Sequence, residues 1–385
     1  MKRIAVLGST GSIGQNTLDV IRSFPDKFCA VGLTTNANTD ILYQQIKEFN
    51  PAFVCVRDKA AAAKLEPKIK SKGIKFFVGD SGLEEMVQDK RIDKVVLAIS
   101  GSGVLTVLLR AIDSGKDIAL ANKEAFVIAG PIIMKKARQK KVKVIPIDSE
   151  QSAIWQCLKN EHKEKIRRIY LTASGGPFRQ SSKKDLRNIS VARALRHPRW
   201  KMGPKISVDS ANLMNKGLEL LEAMYLFDVR PQMIKVLIHP QAIIHSMVEF
   251  QDGVVLAQLS VTDMRIPIQY ALTYPERLAS SLKAIDFCAL SRLDFHEPDF
   301  GKFPCLELAY RVADEGGTAP AALNAADEVC VDEFLKKRLG FVSIPGVIEK
   351  VLDKHRNIIE PRLDDILAAD SWARDEAHKI IHKLN

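Results

Sequence analysis

Long apolar runs are missing from this sequence of 385 residues. No window approaches the ~20 consecutive apolar residues that a membrane-spanning helix needs, so we expect no membrane segment. The first residues lead directly into the apolar stretch Arg3–Leu7, and we therefore expect no signal or transit peptide. Paired cysteines are also missing, because the six cysteines are scattered without a C-x-x-C motif. These features predict reduced thiols and a cytoplasmic protein.

The sequence also has no internal repeat, no low-complexity segment and no basic tail. Its net charge of +11 is spread along the chain. A basic balance suits nucleic acids, anionic membranes or phosphorylated small molecules, and charge alone does not choose among them. Nucleic-acid binding needs repeated aromatic platforms, whereas the most basic loop contains only Trp200. The spread of charge therefore weakens the nucleic-acid interpretation, whereas an anionic membrane surface and a phosphorylated small molecule both remain open.

Short apolar runs alternate with helical patterns over residues 1–150, which is typical of an α/β domain with a parallel sheet. The predicted strands are Arg3–Leu7, Cys29–Thr34, Phe53–Val56, Lys94–Ile99, Ile118–Ala121 and Val142–Ile147. The predicted helices are Gln15–Ser23, Thr39–Phe49, Ala60–Lys70, Val104–Asp113 and Ile132–Lys140. A chain of this length is expected to form two or three domains.

The first predicted strand ends in a glycine-rich turn, Gly8-Ser-Thr-Gly11-Ser-Ile-Gly14, and a helix follows. This context favours a Rossmann-like dinucleotide site, with the pyrophosphate at the helix N-terminus. A plain tight turn is the alternative. An acid that binds the ribose of NAD is missing from Thr34–Asn38, which favours a cofactor with a 2′-phosphate. Asn36, Asn38 and the threonines would then donate hydrogen bonds to that phosphate.

Further polar residues follow the later strands of the predicted sheet. Lys123 would face the reactive end of the cofactor, although a surface lysine is an equal alternative. Asp148 and Glu150 leave the end of a predicted strand two residues apart, so they would share one face and bind a hard divalent cation. The alternative is a solvated strand-to-helix turn that Ser149 or Ser152 caps.

The region 151–273 carries three more candidate elements. Leu171–Phe178 reads as a strand that ends in an anion-binding turn. A loop over residues 193–205 combines five basic residues with Trp200, which indicates a lid over an anionic substrate or, alternatively, a basic surface loop. Ser210 is expected to cap a helix that shows Asn215, Lys216 and Glu219 on one face. A solvated ion pair between Lys216 and Glu219 is the alternative.

The remaining segments have structural interpretations. His239 and His245 lie in apolar surroundings and are expected to be hydrogen-bonded structural residues. Residues 274–298 show little periodicity and read as a linker. The last part, 299–385, is predicted to form a small helical domain. Its predicted helices are Cys305–Glu315, Ala319–Leu335, Ile344–Lys354 and Leu363–Leu384.

These motifs, taken in order, resemble 1-deoxy-D-xylulose 5-phosphate reductoisomerases along essentially the whole chain. Further segments that look like this family are His239–Ser246, Asp263–Arg265 and Leu323–Ala326. The resemblance implies an NADPH- and divalent-metal-dependent enzyme, an oxidoreductase and isomerase of non-mevalonate isoprenoid biosynthesis that is usually a homodimer. Its product would be 2-C-methyl-D-erythritol 4-phosphate. It also implies an NADPH-binding domain over 1–150 and a catalytic and dimerisation domain over 151–273.

The resemblance implies roles for particular residues. The implied metal ligands are Asp148, Glu150 and Glu219. The implied catalytic residues are Lys123, Glu150 and His197. The substrate, held mainly through its phosphate, would contact Lys123, Ser149, Glu150, Ser174, His197, Ser210, Asn215, Lys216 and Glu219. The cofactor would contact Thr10, Gly11, Ser12, Ile13, Asn36, Asn38, Asn122, Glu124, Gly203 and Gly217. Trp200 and Met202 would belong to the lid.

Two positions depart from the family pattern. Ala37 stands where many members carry Lys or Arg, and Gln151 stands where some carry His. NADPH remains the expected cofactor because no acid has replaced the basic residue. Three carboxylates suit Mg²⁺ or Mn²⁺, with Co²⁺ as a further candidate. The competing interpretations are a semialdehyde-type dehydrogenase with a nucleophilic Cys157, and a non-catalytic NADP-binding regulator.

Overall fold

The computed structural model describes residues 1–70, 73–200 and 202–384, and this part of the chain forms two compact units. The first unit comprises Met1–Ala125, Pro131–Ser152 and Asp263–Leu282. The second comprises Phe126–Gly130, Ala153–Thr262 and the described residues from Lys283 onwards. Among the described helices, none has the length and apolar character required to cross a membrane.

The first unit is built on a sheet of seven parallel strands. Their spatial order is β4-β3-β2-β1-β5-β6-β7. The strands are β1 Lys2–Leu7, β2 Phe28–Thr35, β3 Phe53–Val56, β4 Lys75–Val78, β5 Lys94–Leu97, β6 Asp117–Leu120 and β7 Val144–Pro146. The chain starts with the central strand β1, adds β2 to β4 on one side, and then adds β5 to β7 on the other side. The strand order therefore changes direction at β1, and nucleotides bind in such sheets at the carboxyl ends of the strands beside this point. The predicted Rossmann-like fold is confirmed.

Amphipathic helices connect these strands. Leu18, Val20 and Ile21 face the core from the first helix, while Asn38 caps the second through a hydrogen bond from the Ile41 N–H. The helices are α1 Ser12–Ser23, α2 Thr39–Phe49, α3 Lys59–Ile69, α4 Gly79–Val87, α5 Leu105–Asp113, α6 Glu124–Lys140 and α7 Ser149–Cys157. Non-helical dihedral angles at Ala129 kink α6, two residues before Pro131.

Strand β4 and helix α4 had no counterpart in the sequence prediction. β4 is a four-residue strand at the edge of the sheet, and its residues do not alternate regularly between buried and exposed positions. α4 contains Gly79 and Gly82, and no side chain caps its N-terminus. A short edge strand followed by a glycine-containing helix gives a weak local signal, which explains the omission.

The second unit contains a four-stranded sheet with the order β11-β10-β8-β9. Its strands are β8 Ile166–Ala173, β9 Ile234–Ile238, β10 Ile244–Phe250 and β11 Val255–Leu259. β8 pairs with β9 in parallel, whereas β10 pairs antiparallel with both β8 and β11. β11 therefore forms one edge of this sheet.

Helices cover much of the remaining chain. They are α8 Lys183–Leu186, α9 Val191–Ala194, α10 Pro204–Ala211, α11 Met214–Phe227, α12 Arg265–Thr273, α13 Phe287–Leu290, α14 Pro304–Glu315, α15 Ala319–Leu335, α16 Ile344–Lys354 and α17 Leu363–His382. The helical C-terminal region is confirmed, because α14 to α17 match the four predicted helices closely. Residues 274–298, predicted as a linker, include α13, and His296 forms a β-bridge with Ile238.

Candidate active site

The glycine-rich turn between β1 and α1 requires its glycines. Gly8 has a φ of +85°, and a Cβ there would lie 2.6 Å from the carbonyl oxygen of Ala98. A Cβ at Gly14 would lie only 2.2 Å from the carbonyl oxygen of Gly8, so α1 approaches the turn too closely for any side chain. Gly11 occupies the N-cap of α1 without a side-chain cap. The first N–H groups of the helix therefore suit a phosphate.

Residues at the end of β2 fix the position of this turn. Thr34 Oγ1 accepts a hydrogen bond from the Gly8 N–H at 2.8 Å, and Thr35 Oγ1 lies 2.7 Å from Thr10 Oγ1. Both threonines are buried. Their hydroxyl groups therefore support the turn, and binding of a 2′-phosphate by these threonines stays a prediction. Asn36 and Asn38 are exposed at the same end of β2.

The loop after β6 is ordered by Asn122, which sequence reasoning treated only as a cofactor contact. Its Nδ2 donates hydrogen bonds to the carbonyl oxygens of Ile99 and Gly101 at 2.8 and 2.9 Å, and to Glu124 Oε2 at 3.1 Å. Its Oδ1 accepts from the Ala125 N–H at 2.9 Å. Asn122 therefore joins two loops at the carboxyl edge of the sheet and orients Glu124.

Lys123 is buried rather than a surface residue. Only 6% of the residue is exposed, and its Nζ lies 2.9 Å from Asp148 Oδ2. The surface-lysine interpretation is therefore wrong. A buried ammonium group beside a carboxylate is a strong local source of positive charge, since little water screens it.

The sequence prediction that Asp148 and Glu150 leave the end of a strand on one face is wrong. β7 ends at Pro146, and α7 begins at Ser149. Asp148 accepts the Ser152 N–H through its backbone carbonyl, so it occupies the helix N-terminus with Glu150 in the first turn. Glu150 also accepts a hydrogen bond from the Ser149 hydroxyl. Both carboxylates benefit from the positive end of the helix dipole.

Asp148, Glu150 and Glu219 form a cluster of possible metal ligands within the described part of the chain. Each offers one carboxylate oxygen, and these oxygens all lie within 4.8 Å of one another. Glu219 is buried and the other two are half-buried. Oxygen ligands of this type suit Mg²⁺ or another hard divalent ion. The predicted ligand set is therefore compatible with a metal, and we call it the carboxylate cluster below.

Ser174 and His197 form a hydrogen-bonded pair in the second unit. Ser174 follows β8, and its Oγ lies 3.0 Å from His197 Nε2. The turn continues through Gly175 and Gly176, which both have a positive φ. A Cβ at Gly176 would lie 2.6 Å from the carbonyl oxygen of Ser210, so the small residues allow α10 to approach the turn.

His197 is held as a neutral imidazole. Its Nδ1 accepts hydrogen bonds from the N–H groups of Arg199 and Trp200 at 3.2 and 2.8 Å. Its Nε2 therefore carries the proton and donates to Ser174 Oγ. Burial, and to a smaller extent the charge of Lys216, lowers the pKa of His197 to about 4. The ring consequently acts as a hydrogen-bond donor at neutral pH.

Ser210 does not cap the following helix. It lies inside α10, and α11 begins after Leu213, which has a φ of +64°. The side chain of Asn212 accepts the Met214 N–H at 2.9 Å and performs part of that role. The N-cap prediction is therefore wrong, because α10 turns sharply into α11 and leaves no extended residue at Ser210.

Asn215, Lys216 and Glu219 do share one face of α11. Asn215 Nδ2 donates to Glu219 Oε1 at 2.5 Å, and Lys216 forms an ion pair with Glu219 Oε2. Lys216 and Glu219 are 4% and 1% exposed. The alternative of a solvated surface pair is therefore wrong. Burying two charges on one turn is costly, which is typical of a functional site.

The other predicted residues of this region differ in how tightly they are packed. Gly203 is exposed at the N-cap of α10, and Met202 is half-buried. A Cβ at Gly217 would lie 2.4 Å from the Cβ of Ala309, so this glycine permits close packing of α11 on α14. The ring centroid of Trp200 lies 6.3 Å from that of His245. Lys201 of the predicted lid lies outside the described residues.

Sequence reasoning overlooked a buried ion cluster between α10 and α15. Lys205 Nζ lies 2.6 Å from Asp209 Oδ2 and 2.9 Å from Asp327 Oδ2. Burial raises the pKa of Asp327, and Lys205 opposes this effect. The spacing of Lys205 and Asp209 is a helical signal that was available, whereas nothing in the local sequence indicates Asp327.

Three other predictions concern buried residues. His239 and His245 are structural, since His239 Nδ1 lies 2.9 Å from the Asp294 carbonyl oxygen and His245 Nε2 lies 3.2 Å from that of Ser260. Cys157 is buried, and burial raises the pKa of its thiol to about 11. A thiol of this kind is a poor nucleophile at neutral pH, which argues against a cysteine-dependent dehydrogenase.

Models of one protein family match three parts of the chain. The model described as 1-deoxy-D-xylulose 5-phosphate reductoisomerase matches residues 4–130. The model for the C-terminal domain of that enzyme matches residues 144–227. A further model, DXP reductoisomerase C-terminal domain, matches residues 259–376. Together these matches extend over most of the sequence.

Curated relatives with the same description match almost the whole chain. The enzyme of Caldanaerobacter subterraneus subsp. tengcongensis is 52% identical over 376 residues, which cover 97% of this chain and 98% of the relative. The enzyme of Thermodesulfovibrio yellowstonii is 48% identical over 381 residues, which cover 99% of this chain and all of the relative.

Solved structures of the same enzyme have closely similar folds. The reductoisomerase from Zymomonas mobilis in complex with NADPH has a TM-score of 0.92 at 39% identity, with 99% of each chain covered. A DOX-P reductoisomerase in complex with NADPH, fosmidomycin and magnesium has a TM-score of 0.95 at 39% identity, with 100% of this chain and 99% of that chain covered.

Proposed function

The chain belongs to the 1-deoxy-D-xylulose 5-phosphate reductoisomerase family, and we propose that it catalyses the reaction of that family. The reaction rearranges 1-deoxy-D-xylulose 5-phosphate and reduces the product with NADPH to 2-C-methyl-D-erythritol 4-phosphate. It requires a divalent metal ion and serves non-mevalonate isoprenoid biosynthesis. The observation that carries this proposal is the carboxylate cluster, because a hydride-transfer enzyme without a metal-bound substrate has no need for it.

The carboxylate cluster would hold the metal. Asp148, Glu150 and Glu219 supply oxygen atoms only, a donor set that favours Mg²⁺ and Mn²⁺ over zinc. Mg²⁺ accords with the magnesium in a solved relative, whereas the use of Mn²⁺ or Co²⁺ is a further proposal. When bound, such an ion polarises a carbonyl group and stabilises negative charge on neighbouring substrate oxygens.

Lys123 would act beside the reacting oxygens of the substrate. Its ammonium group is buried next to Asp148, so its charge is fixed in position before the substrate binds. It would stabilise negative charge that develops on the substrate or transfer a proton at Nζ. Glu150 would combine a ligand role with contact to the substrate, and the Ser149 hydroxyl would orient that carboxylate.

A second group of residues would bind the phosphate of the substrate. Ser174, Ser210 and Asn215 offer neutral donors, and Lys216 offers a buried positive charge. His197 would contribute as a neutral donor through Nε2 because its pKa is low. Phosphate binding away from the reacting carbons would also provide free energy for closing the 193–205 lid, which includes Trp200 and Met202.

The cofactor would lie along the carboxyl edge of the first sheet. The pyrophosphate of NADPH would bind at Thr10, Gly11, Ser12 and Ile13, where α1 presents its first N–H groups. Asn122 and Glu124 would bind nearer the nicotinamide, which supplies the hydride. Asn36 and Asn38 would contact the adenosine end, and we retain Gly203 and Gly217 as proposed cofactor contacts.

The wider organisation is also a proposal. We assign NADPH binding to 1–150, catalysis and dimerisation to 151–273, a linker role to 274–298 and a helical domain to 299–385. The edge strand β11 supports a homodimer, because Val255 and Leu256 are 46% and 39% exposed on a strand with an open edge. We propose that two copies pair at this edge and that the enzyme works in the cytoplasm.

The proposed reaction is tested by mixing the purified protein with NADPH, Mg²⁺ and 1-deoxy-D-xylulose 5-phosphate. NADPH absorbance should fall only when the sugar phosphate is present, and 2-C-methyl-D-erythritol 4-phosphate should accumulate in equal amount. A Cys157→Ser variant should have the same turnover. NADPH binding without oxidation would favour a regulator, and loss of activity in Cys157→Ser would favour a cysteine-dependent dehydrogenase.

A further inference from the structure

The end of β2 lacks the charged residue that usually distinguishes the two nicotinamide cofactors. Residues 34–38 contain neither an acid nor a base. An acid there would bind the ribose hydroxyls of NADH, while a nearby arginine accommodates the 2′-phosphate of NADPH. Thr34 and Thr35 are 0% and 1% exposed and contact the glycine-rich turn, so their hydroxyl groups do not face solvent, where the 2′-phosphate would lie. A cation for the 2′-phosphate must therefore come from elsewhere.

Arg57 directly follows β3, the strand next to β2, at the same edge of the sheet. β2 and β3 run parallel, with Thr35 opposite Val56. The backbone N–H of Arg57 donates to the Thr35 carbonyl oxygen at 3.0 Å, and the N–H of Asp58 donates to that of Asn36 at 3.0 Å. The pairing therefore continues one residue beyond the strands and places Arg57 opposite Asn36, at the usual spacing of adjacent strands, about 4.8 Å.

The guanidinium group of Arg57 donates a hydrogen bond to Asp80 through Nε, at one end of its fork. Arg57 Nε lies 2.6 Å from Asp80 Oδ1 in the second position of α4. The Arg57 side chain is 25% exposed, whereas that of Asp80 is 61% exposed. An arginine fork bonded through Nε keeps its terminal N–H groups in a plane that can bind two oxygens of a phosphate.

We propose that Arg57 binds the 2′-phosphate of NADPH and sets the preference of this enzyme for NADPH over NADH. Asn36 and Asn38 complete the site as neutral donors around the phosphate. This inference rests on the proposed function for the presence of NADPH, but it assigns the discrimination between the cofactors to the residue that follows β3 rather than to the loop after β2.

Lys59 provides a matched control. It carries the same charge, lies two residues further along the chain and is exposed at the start of α3. The backbone hydrogen bonds that join the end of β2 to the residues after β3 come from Arg57 and Asp58, and Lys59 is not among these donors. A general attraction between the cofactor and positive charge would involve both residues, whereas a specific site involves Arg57.

The test is titration of the metal-free protein with NADPH and with NADH, followed by nicotinamide fluorescence. Arg57→Gln should raise the dissociation constant of NADPH about tenfold, the loss expected for a charge-assisted hydrogen bond, and leave that of NADH unchanged. Lys59→Gln should change neither constant. Arg57→Lys should give an intermediate NADPH affinity because it keeps the charge but loses the fork.

Two results would overturn the inference. An equal loss of NADPH and NADH affinity in Arg57→Gln would mean that Arg57 only supports the fold through Asp80. An unchanged NADPH affinity in that variant would exclude Arg57 from the site. Neither result depends on turnover of the sugar phosphate. The proposed function fails in a different experiment, if the wild-type protein does not oxidise NADPH when the sugar phosphate is added.

Discussion

Replacing Glu219 with glutamine removes one charge from the carboxylate cluster and changes the shape of the side chain very little. In the structure both oxygens of Glu219 accept hydrogen bonds, one from Asn215 and one from Lys216. Glutamine can accept only one of these, and its own NH₂ group would then face a second donor. The variant therefore loses a proposed metal ligand and also removes the negative charge that pairs with the buried ammonium group of Lys216.

The two losses have different magnitudes and different readouts. Removing one partner of a buried ion pair typically lowers the free energy of unfolding by about 3–5 kcal/mol. Changes to residues that only orient metal ligands cost roughly 10–100-fold in affinity or activity, so loss of a ligand should lower turnover by at least about 100-fold. NADPH affinity should be nearly unchanged, since the proposed cofactor site lies at the edge of the first sheet.

The assay compares Glu219→Gln with Glu222→Gln as a matched control. Glu222 lies on the same helix and, like Glu219, is 1% exposed. Chemical denaturation gives the stability of each, and Mn²⁺ titration of NADPH oxidation gives the metal dependence. A Lys216→Met/Glu219→Gln double variant should recover stability without recovering metal-dependent turnover, because it removes both charges. Retained activity in Glu219→Gln, or equal loss in Glu222→Gln, would refute the ligand assignment.

Three further predictions concern pH, packing and assembly. Burial lowers the pKa of His197 and His245 from 6.5 to about 4, so between these pH values the unfolded chain binds more protons than the folded protein. The free energy of unfolding should therefore fall as pH decreases from 6.5 to 4. Denaturant titrations at several pH values should show this decrease, and a free energy of unfolding that does not change with pH would contradict it. Gly14→Ala should abolish NADPH binding, because the added Cβ would clash with the carbonyl oxygen of Gly8. Gly217→Ala should lower the free energy of unfolding by about 1–3 kcal/mol by overpacking against Ala309. Loss of NADPH affinity in a folded Gly217→Ala variant of normal stability would instead support direct contact between Gly217 and the cofactor. Val255→Lys should convert a dimer to monomers in light scattering, and an unchanged mass would exclude β11 as the interface.

Local sequence patterns predicted those parts of the fold that local interactions determine. Alternating apolar runs located six of the seven strands in the parallel sheet, and helical periodicity located α14 to α17 almost to the residue. The glycine-rich turn was also readable, because Gly8 and Gly14 have backbone and packing requirements that no other residue meets. The edge strand β4 was missed since its four residues carry little pattern.

Burial and exact backbone geometry could not be read from the sequence in the same way. A surface position was an equal alternative for Lys123, and a solvated ion pair was the preferred local interpretation of Lys216 and Glu219. Only tertiary packing reveals that all three residues are buried. Asp148 and Glu150 were placed at the end of a strand with their side chains on one face, although β7 ends at Pro146 and α7 begins at Ser149, between them. The similarity of the motifs to one family, rather than the local pattern, indicated that these residues act together.

In the proposed reaction, a metal held by the carboxylate cluster is required for conversion of the sugar phosphate. The most direct measurement uses protein stripped of metal with EDTA, supplied with NADPH and 1-deoxy-D-xylulose 5-phosphate, and titrated with Mg²⁺ while 2-C-methyl-D-erythritol 4-phosphate is quantified. We expect no product without metal and saturable recovery on titration in the wild type, with no recovery in Asp148→Asn. Full product formation by the stripped enzyme, or wild-type recovery in Asp148→Asn, would contradict the account.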